Sequence, residues 1–216
     1  MSGIMQAVLG GSFAFPHGWP VANIGDAYQG GFFAGQINVS GTKYNLVVSP
    51  KASGEAIKAW GVYGVSTGQT SVINGPTNSA NEAALGASYE AATFCEGLTI
   101  GGYSDWYLPA KNELEVLYYN LKPTTDANNT SSGSNANAVS PEPISTNYTS
   151  GSPAQTSAGI GFRTGETDAF ASNQYWSSTE EVGAGYAWIQ YFLNGIQNYN
   201  FNIYSYYVRA VRRVAV

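Results

Sequence analysis

Cysteine, histidine and positive charge are the scarce ingredients of this 216-residue chain, which has one cysteine, Cys95, and one histidine, His17. A single thiol excludes an internal disulfide and any cysteine-based zinc site. Cys95 sits in an alanine-rich helical pattern, which predicts a small buried thiol. His17 stands among aromatic, proline and glycine residues, a packing context, and no G-x-S-x-G turn exists to partner it in hydrolysis. Nine lysines and arginines face 14 acidic residues, a formal net charge of −5. The basic patch that phosphate neutralisation needs is missing, so nucleic acid is not an expected partner. Of the four arginines, Arg163 stands apart, whereas Arg209, Arg212 and Arg213 crowd together near the C-terminus. Their expected role is to tie down a last strand through hydrogen bonds. No apolar run is pure enough to predict membrane insertion. Met1 to Gly11 also lacks the basic and apolar regions of a secretion signal, which predicts a cytoplasmic protein or a particle assembled in the cytoplasm and released by lysis.

Glycine, tyrosine and asparagine are abundant instead, a profile of β-rich, loop-rich extracellular or virion proteins. The length suits one domain with a short N-terminal extension. Residues 1–30, rich in glycine and proline, read as an attachment or oligomerisation arm, and residues 31–216 as the domain. Phe32 to Asn38 and Lys43 to Ser49 alternate like strands joined around Ser40-Gly41. Alanines from Ala80 to Ala91, with Phe94, Cys95 and Leu98, predict one helix over 78–97 that packs closely through an alanine face and stops at Gly97. A second helix begins near Ala110 after Leu108-Pro109, with Glu113 in its first turn and a stripe of Leu114, Leu117, Tyr118 and Leu121; Pro123 ends it. Thr124 to Gly161 reads as an extended surface insertion with little regular structure. Two helices, small antiparallel sheets and long loops make an α+β fold.

The stretch from Tyr175 to Val214 draws the most attention. Between Glu181 and Arg209 it has no charged residue, yet it is crowded with Tyr, Phe, Ile, Trp and Asn. Asn194-Gly195 predicts a two-residue type I′ hairpin turn. Before it, Trp188, Gln190 and Phe192 share one strand face and Ile189, Tyr191 and Leu193 the other, so both faces are apolar. Such a strand is either buried on both sides or offers one side for binding. The alternating amides and rings from Asn198 to Tyr206 favour exposure, because buried amides without partners are expensive.

Three motifs now combine: WYLPAKNEL, YWSSTE and YYVRAVRRV. Together they resemble the domain family named for the C-terminal domain of the Lcl collagen-like adhesin, over roughly Gly31 to Val214. Trp106, Leu108, Pro109, Glu113 and Leu114 match its first motif, Tyr175 to Thr179 its second, and Val208, Arg209, Val211 and Arg212 its third; the resemblance implies that these are structural. It also implies a C-type lectin-like fold and a receptor-binding module of phage tails or surface adhesins, often on a trimeric fibre beside other tail proteins. The segment between the second and third motifs is similar to the variable region of proteins diversified by retroelements, which mutate template adenines. Residues reachable from asparagine codons in that way are Ile189, Tyr191, Leu193, Asn194, Ile196, Asn198, Tyr199, Asn200, Phe201, Ile203, Tyr204, Ser205 and Tyr206. These are the candidate ligand-binding residues, with Gln190, Phe192, Gly195 and Gln197 as framework.

The calcium-site signatures of sugar-binding C-type lectins are absent, and Pro141-Glu142-Pro143 does not replace them, so no metal or other cofactor is expected. Related oxidases rely on paired cysteines that this chain lacks. Glu166, Asp168, Glu180 and Glu181 could supply carboxylates for glycoside hydrolysis but read as solvated loop acids, and no catalytic residue is assigned. The expected function is attachment of a virion to a bacterial receptor, glycan or protein. The alternatives are a structural fibre subunit or a bacterial surface adhesin whose aromatic segment is a subunit interface, and, further off, a glycan-cleaving enzyme.

Overall fold

The computed structural model describes residues 23–140, 146–158, 161–183 and 185–216. His17, most of the expected arm and Pro141-Glu142-Pro143 lie outside them. About 17% helix and 32% strand in mainly antiparallel sheets make the chain α+β. One sheet runs β1 (Ala27–Tyr28), β2 (Gly31–Val39), β3 (Thr42–Val48) and β10 (Val211–Ala215), with β5 (Ala138–Ser140) also paired to β2. The second runs β4 (Glu55–Ala59), β9 (Ser205–Arg209), β6 (Gln174–Glu180), β7 (Tyr186–Tyr191) and β8 (Gln197–Phe201).

The β2–β3 hairpin turns at Ser40 and Gly41, both at positive φ, in the two-residue geometry that matches strand twist. Two crossings join the sheets. β3 leads through the short helix α1 (Lys51–Gly54) into β4, and β9 leads through the buried Ala210 into β10. Gly54 is needed here, because a Cβ on it would lie 2.0 Å from the Ser49 Oγ. The two strand pairs thus run on as one strongly bent ribbon. The folded unit also reaches ahead of Gly31: β1 pairs with β2, and Tyr28 is buried in the core.

Two expectations about helices are corrected. The predicted single helix over 78–97 is two, α2 (Gly75–Ala84) and α3 (Glu90–Glu96), broken at Gly86 with φ +111°. Moreover, α2 does not pack through alanines: Gly75, Asn78, Ser79 and Glu82 are its buried residues. The Asn78 amide donates to the Ser71 carbonyl and the Ser79 hydroxyl accepts from the Leu108 N–H, so this helix is held by polar links. The described residues therefore contain four helices rather than two.

The fourth, α4 (Lys111–Leu121), is the hub. Its buried Leu114, Val116, Leu117, Tyr118 and Leu121 join Ile37, Leu46, Val48 and Val211 of the first sheet in one core cluster. A second cluster gathers around the buried Trp60, Trp106 and Trp176 between α3 and the second sheet.

The insertion 124–161 is also corrected. It has little regular structure, but Thr124, Asn128, Ser132, Asn135, Tyr148 and Thr156 are buried. It is a packed strap. Glu115, fully buried on α4, accepts from Asn135 Nδ2 at 2.6 Å and from the Tyr148 hydroxyl at 2.7 Å. Lys122 Nζ donates to Asn128 Oδ1 and the Pro153 carbonyl. Polar side chains can be buried in such a strap because each has a partner.

Candidate recognition surface

The three sequence motifs converge at the first turn of α4. Ala110 is its N-cap, and its N–H is accepted by Glu113 Oε2 at 2.8 Å, half of a capping box. The remaining first-turn donors go elsewhere: Lys111 N–H to Thr179 Oγ1 and Asn112 N–H to the Val72 carbonyl. Glu113 also accepts from the Tyr107 hydroxyl and faces Arg213 at 3.5 Å. Burial pushes its carboxyl up to about 7, against the opposing pull of Arg213 and these donors. Arg209, fully buried, donates to the Ser49 carbonyl and pairs with Glu55 at 3.1 Å and Asp168 at 3.6 Å. Arg212 grips Asp105 with two nitrogens, at 2.6 and 2.8 Å. The arginines tie the last two strands to the rest of the domain.

This frame holds β6, β7 and β8, and one face of β7–β8 is where the surface lies. The face turned inward carries Ala187 and Ile189, which pack in the second core cluster with Trp60, Trp106 and Trp176. Ile189, a candidate ligand-binding residue, is 4% exposed, so its side chain is a core element. The face turned outward carries the cross-strand pairs Trp188↔Tyr199 and Tyr186↔Phe201. Their ring centroids lie 5.6 and 4.7 Å apart, and a diagonal Tyr186–Tyr199 contact at 5.7 Å links the pairs. Tyr63 and Tyr204 extend the ladder from Phe201 at 5.7 and 5.8 Å, and Tyr204 meets Tyr206 at 6.3 Å. The ammonium of Lys111 lies 3.3 Å from the centre of the Trp188 ring, a cation–π contact at the end of the ladder.

The turn differs from the predicted one. Tyr191 N–H donates to the Ile196 carbonyl and Gly195 N–H to the Tyr191 carbonyl, so four residues, Phe192 to Gly195, form the loop; Gly195 has φ +76° and Asn194 is not at positive φ. The cause is Phe192. Its fully buried ring stacks on Phe170 at 4.0 Å and meets Tyr175 and Tyr118, drawing the turn into the first core. The strap then covers this end of the outer face: Asn129 N–H donates to the Asn194 carbonyl, Thr124 Oγ1 to the Leu193 carbonyl and Gly133 N–H to Gln197 Oε1. Gln190 beneath is buried and donates to the Gly195 carbonyl.

The candidates therefore separate. Tyr191, Leu193, Asn194 and Ile196 are half-buried around the strapped turn. Asn198, Tyr199, Ile203, Tyr204 and Ser205 are exposed at the open end, with Tyr199 and Tyr204 each 46% and Ile203 50% exposed. Asn200, Phe201 and Tyr206 are half-buried beside them, the Asn200 amide donating to the Tyr206 hydroxyl at 2.7 Å. The loop bearing Ile203 to Ser205 rests on the buried Asn202. That residue's carbonyl accepts from Trp60 and Gly61, its N–H donates to the Gly185 carbonyl, and its amide donates to the Val62 carbonyl.

Sequence reasoning missed four members of the surface: Tyr63, Tyr186, Trp188 and Lys111. Trp188 and Tyr186 share a strand face, and that alternation was the available signal; Tyr63 and Lys111 arrive from distant segments with none. Glu180 is also corrected. It is no solvated loop acid, since it is buried and its Oε2 accepts from Ser66 Oγ, Thr67 N–H and Oγ1, and Gly68 N–H. Glu166 caps the backbone of Gly161 and Arg163, and Asp168 receives the Lys51 N–H.

The α+β domain displays a ring-lined sheet face on a frame of buried hydrogen bonds and ion pairs. Residues 68–212 match the family described as the Lcl C-terminal domain, and the chain belongs to that family. Domains of this family are known from phage tail and receptor-binding-like proteins, which makes a tail-associated protein the family context. No curated protein matches the chain. The matched interval starts after β4, although β2 and β3 pack directly on α4 and β10. No helix among the described residues is long and apolar enough to cross a membrane.

Proposed function

We propose that this chain is a phage-tail receptor-binding protein without catalytic activity, which attaches the virion to its bacterial host through the open end of the β7–β8 face. The observation that carries this reading is the solvent-facing ring ladder, Trp188, Tyr199, Tyr186, Phe201, Tyr63 and Tyr204, fixed to a frame of buried hydrogen bonds and ion pairs. Tyrosine and tryptophan offer large contact area at small entropic expense, which suits recognition. Three of the carboxylates that might have served hydrolysis are occupied: Glu166 by backbone donors, Asp168 by the Lys51 N–H and Arg209, and Glu180 by donors of Ser66, Thr67 and Gly68. The two-sheet scaffold is read as C-type lectin-like and the assembled particle as trimeric, with the open end directed away from the tail.

The exposed residues from Asn198 to Ser205 are also the ones a retroelement would diversify with least harm to folding, since Gln190, Phe192, Gly195 and Asn202 hold the frame. An adenine-rich near-copy of this coding segment beside the gene is the expected genomic sign. The direct test is host attachment by Tyr199→Ala and Tyr204→Ala. Attachment should fall while the melting temperature and oligomeric mass stay unchanged. A change of mass would make the face a subunit interface, and unchanged attachment would remove it from recognition.

A further inference from the structure

The chemical class of the receptor follows from the same face, and this inference rests on the recognition reading above. We infer that the open end of β7–β8 binds an uncharged saccharide surface. Charge is the first reason. No charged residue occurs between Glu181 and Arg209, and the ammonium that reaches the ladder, Lys111, lies over the Trp188 ring. A sulfated, phosphorylated or uronate-rich polymer would find no arginine fork or lysine cluster there, so electrostatic complementarity selects a neutral ligand.

The second reason concerns peptides. β8 is the edge strand of its sheet, and an open edge invites an extended peptide to add as a further strand. Here the Tyr199 N–H donates to Asn198 Oδ1 and the Phe201 N–H to Asn200 Oδ1, both at 2.9 Å. Those amide side chains occupy the donors that a peptide backbone would need. Strand addition at this edge would have to displace those contacts, while the rings beside it stay open.

The third reason is the kind of surface left over. Tyr199 is held at 85° to Tyr186 and 79° to Trp188, and Tyr204 at 81° to Phe201, so perpendicular neighbours fix these half-exposed rings. Ring centres follow one another at 4.7 to 5.8 Å, a step comparable with one sugar ring. The electron-rich ring faces attract the weakly positive C–H faces of a pyranose, and the hydroxyls of the exposed Tyr199 and Tyr204 match its hydroxyl groups.

The experiment uses the full chain in three arms. It is titrated against immobilised neutral bacterial polysaccharides and their uronate- or sulfate-bearing counterparts at low and high salt, and against host cells pretreated with periodate or with protease. The inference expects binding to neutral polysaccharide that is insensitive to salt, loss of cell binding after periodate but not protease, and about tenfold or greater weakening in Tyr199→Ala and Tyr204→Ala. Binding confined to acidic polymers and weakened by salt overturns it, as does a protease-sensitive receptor. If the tyrosine variants lose cell attachment while every polysaccharide fails, the saccharide class falls and the recognition face stands. If the variants attach normally, both fall.

Discussion

Tyr199, Tyr204, Asn202 and Phe192 lie within a dozen residues of one another and serve opposite purposes. The exposed rings of Tyr199 and Tyr204 are removable: truncation to alanine should change stability by no more than about 0.5–1 kcal/mol while weakening attachment about tenfold or more, read by thermal melts beside adsorption assays. Phe192 is the counterpart. Its ring is fully buried between Phe170, Tyr175 and Tyr118, so Phe192→Ala should cost about 3–5 kcal/mol in denaturant unfolding. Gly195 admits no side chain, because a Cβ would meet the Tyr118 ring at 2.5 Å and φ is +76°. Asn202 presents the exposed loop through hydrogen bonds and is expected to behave as frame.

At the scale of elements, the strap decides how much of β7–β8 is available. It covers the Gln190–Gln197 end through Gly133 and Ser132 and is itself fastened to α4 by Glu115. Glu115→Ala removes the Glu115 acceptor of the Tyr148 hydroxyl and one of the two acceptors of the Asn135 amide in a buried site, which should cost about 2–3 kcal/mol. The loss should appear first as faster hydrogen exchange at the Tyr148 and Gln197 amides, whose acceptors are Ser132 atoms of the strap. Equal acceleration across the whole domain would show that the strap is not a separable unit.

For the whole molecule, buried carboxyls set the response to pH. Glu113 and Glu115 are both pushed up to about 7, chiefly by burial, and burial also raises Glu82 and Glu96. The folded state holds these protons more tightly than the unfolded chain. The stabilisation they contribute is therefore complete below the ordinary glutamate value of 4.5 and is lost as pH rises through about 7. The melting temperature should be higher at about pH 5 than at about pH 8, and Glu115→Gln should flatten that slope. A melting temperature that climbs steadily from pH 5 to 8 would contradict the account.

Much of this was legible in the sequence. Ser40-Gly41 with alternating neighbours marked the β2–β3 hairpin, Leu108-Pro109 and the leucine stripe marked α4, and three clustered arginines marked the anchoring of the last strands. These are signals of local period and turn chemistry, which neighbours in the chain decide among themselves. The outward face of β7 was not of that kind. Both its faces are apolar, and only the tryptophans of three separate segments, which take Ala187 and Ile189, turn Tyr186 and Trp188 to solvent. The four-residue turn, the polar buried side of α2 and the packed strap share this origin: Phe192 finds a core, and Ser79 and Asn135 find hydrogen-bond partners far along the chain. Residue types and periods determined the elements and the family, whereas long-range burial, which no local pattern encodes, decided which aromatic residues form the surface.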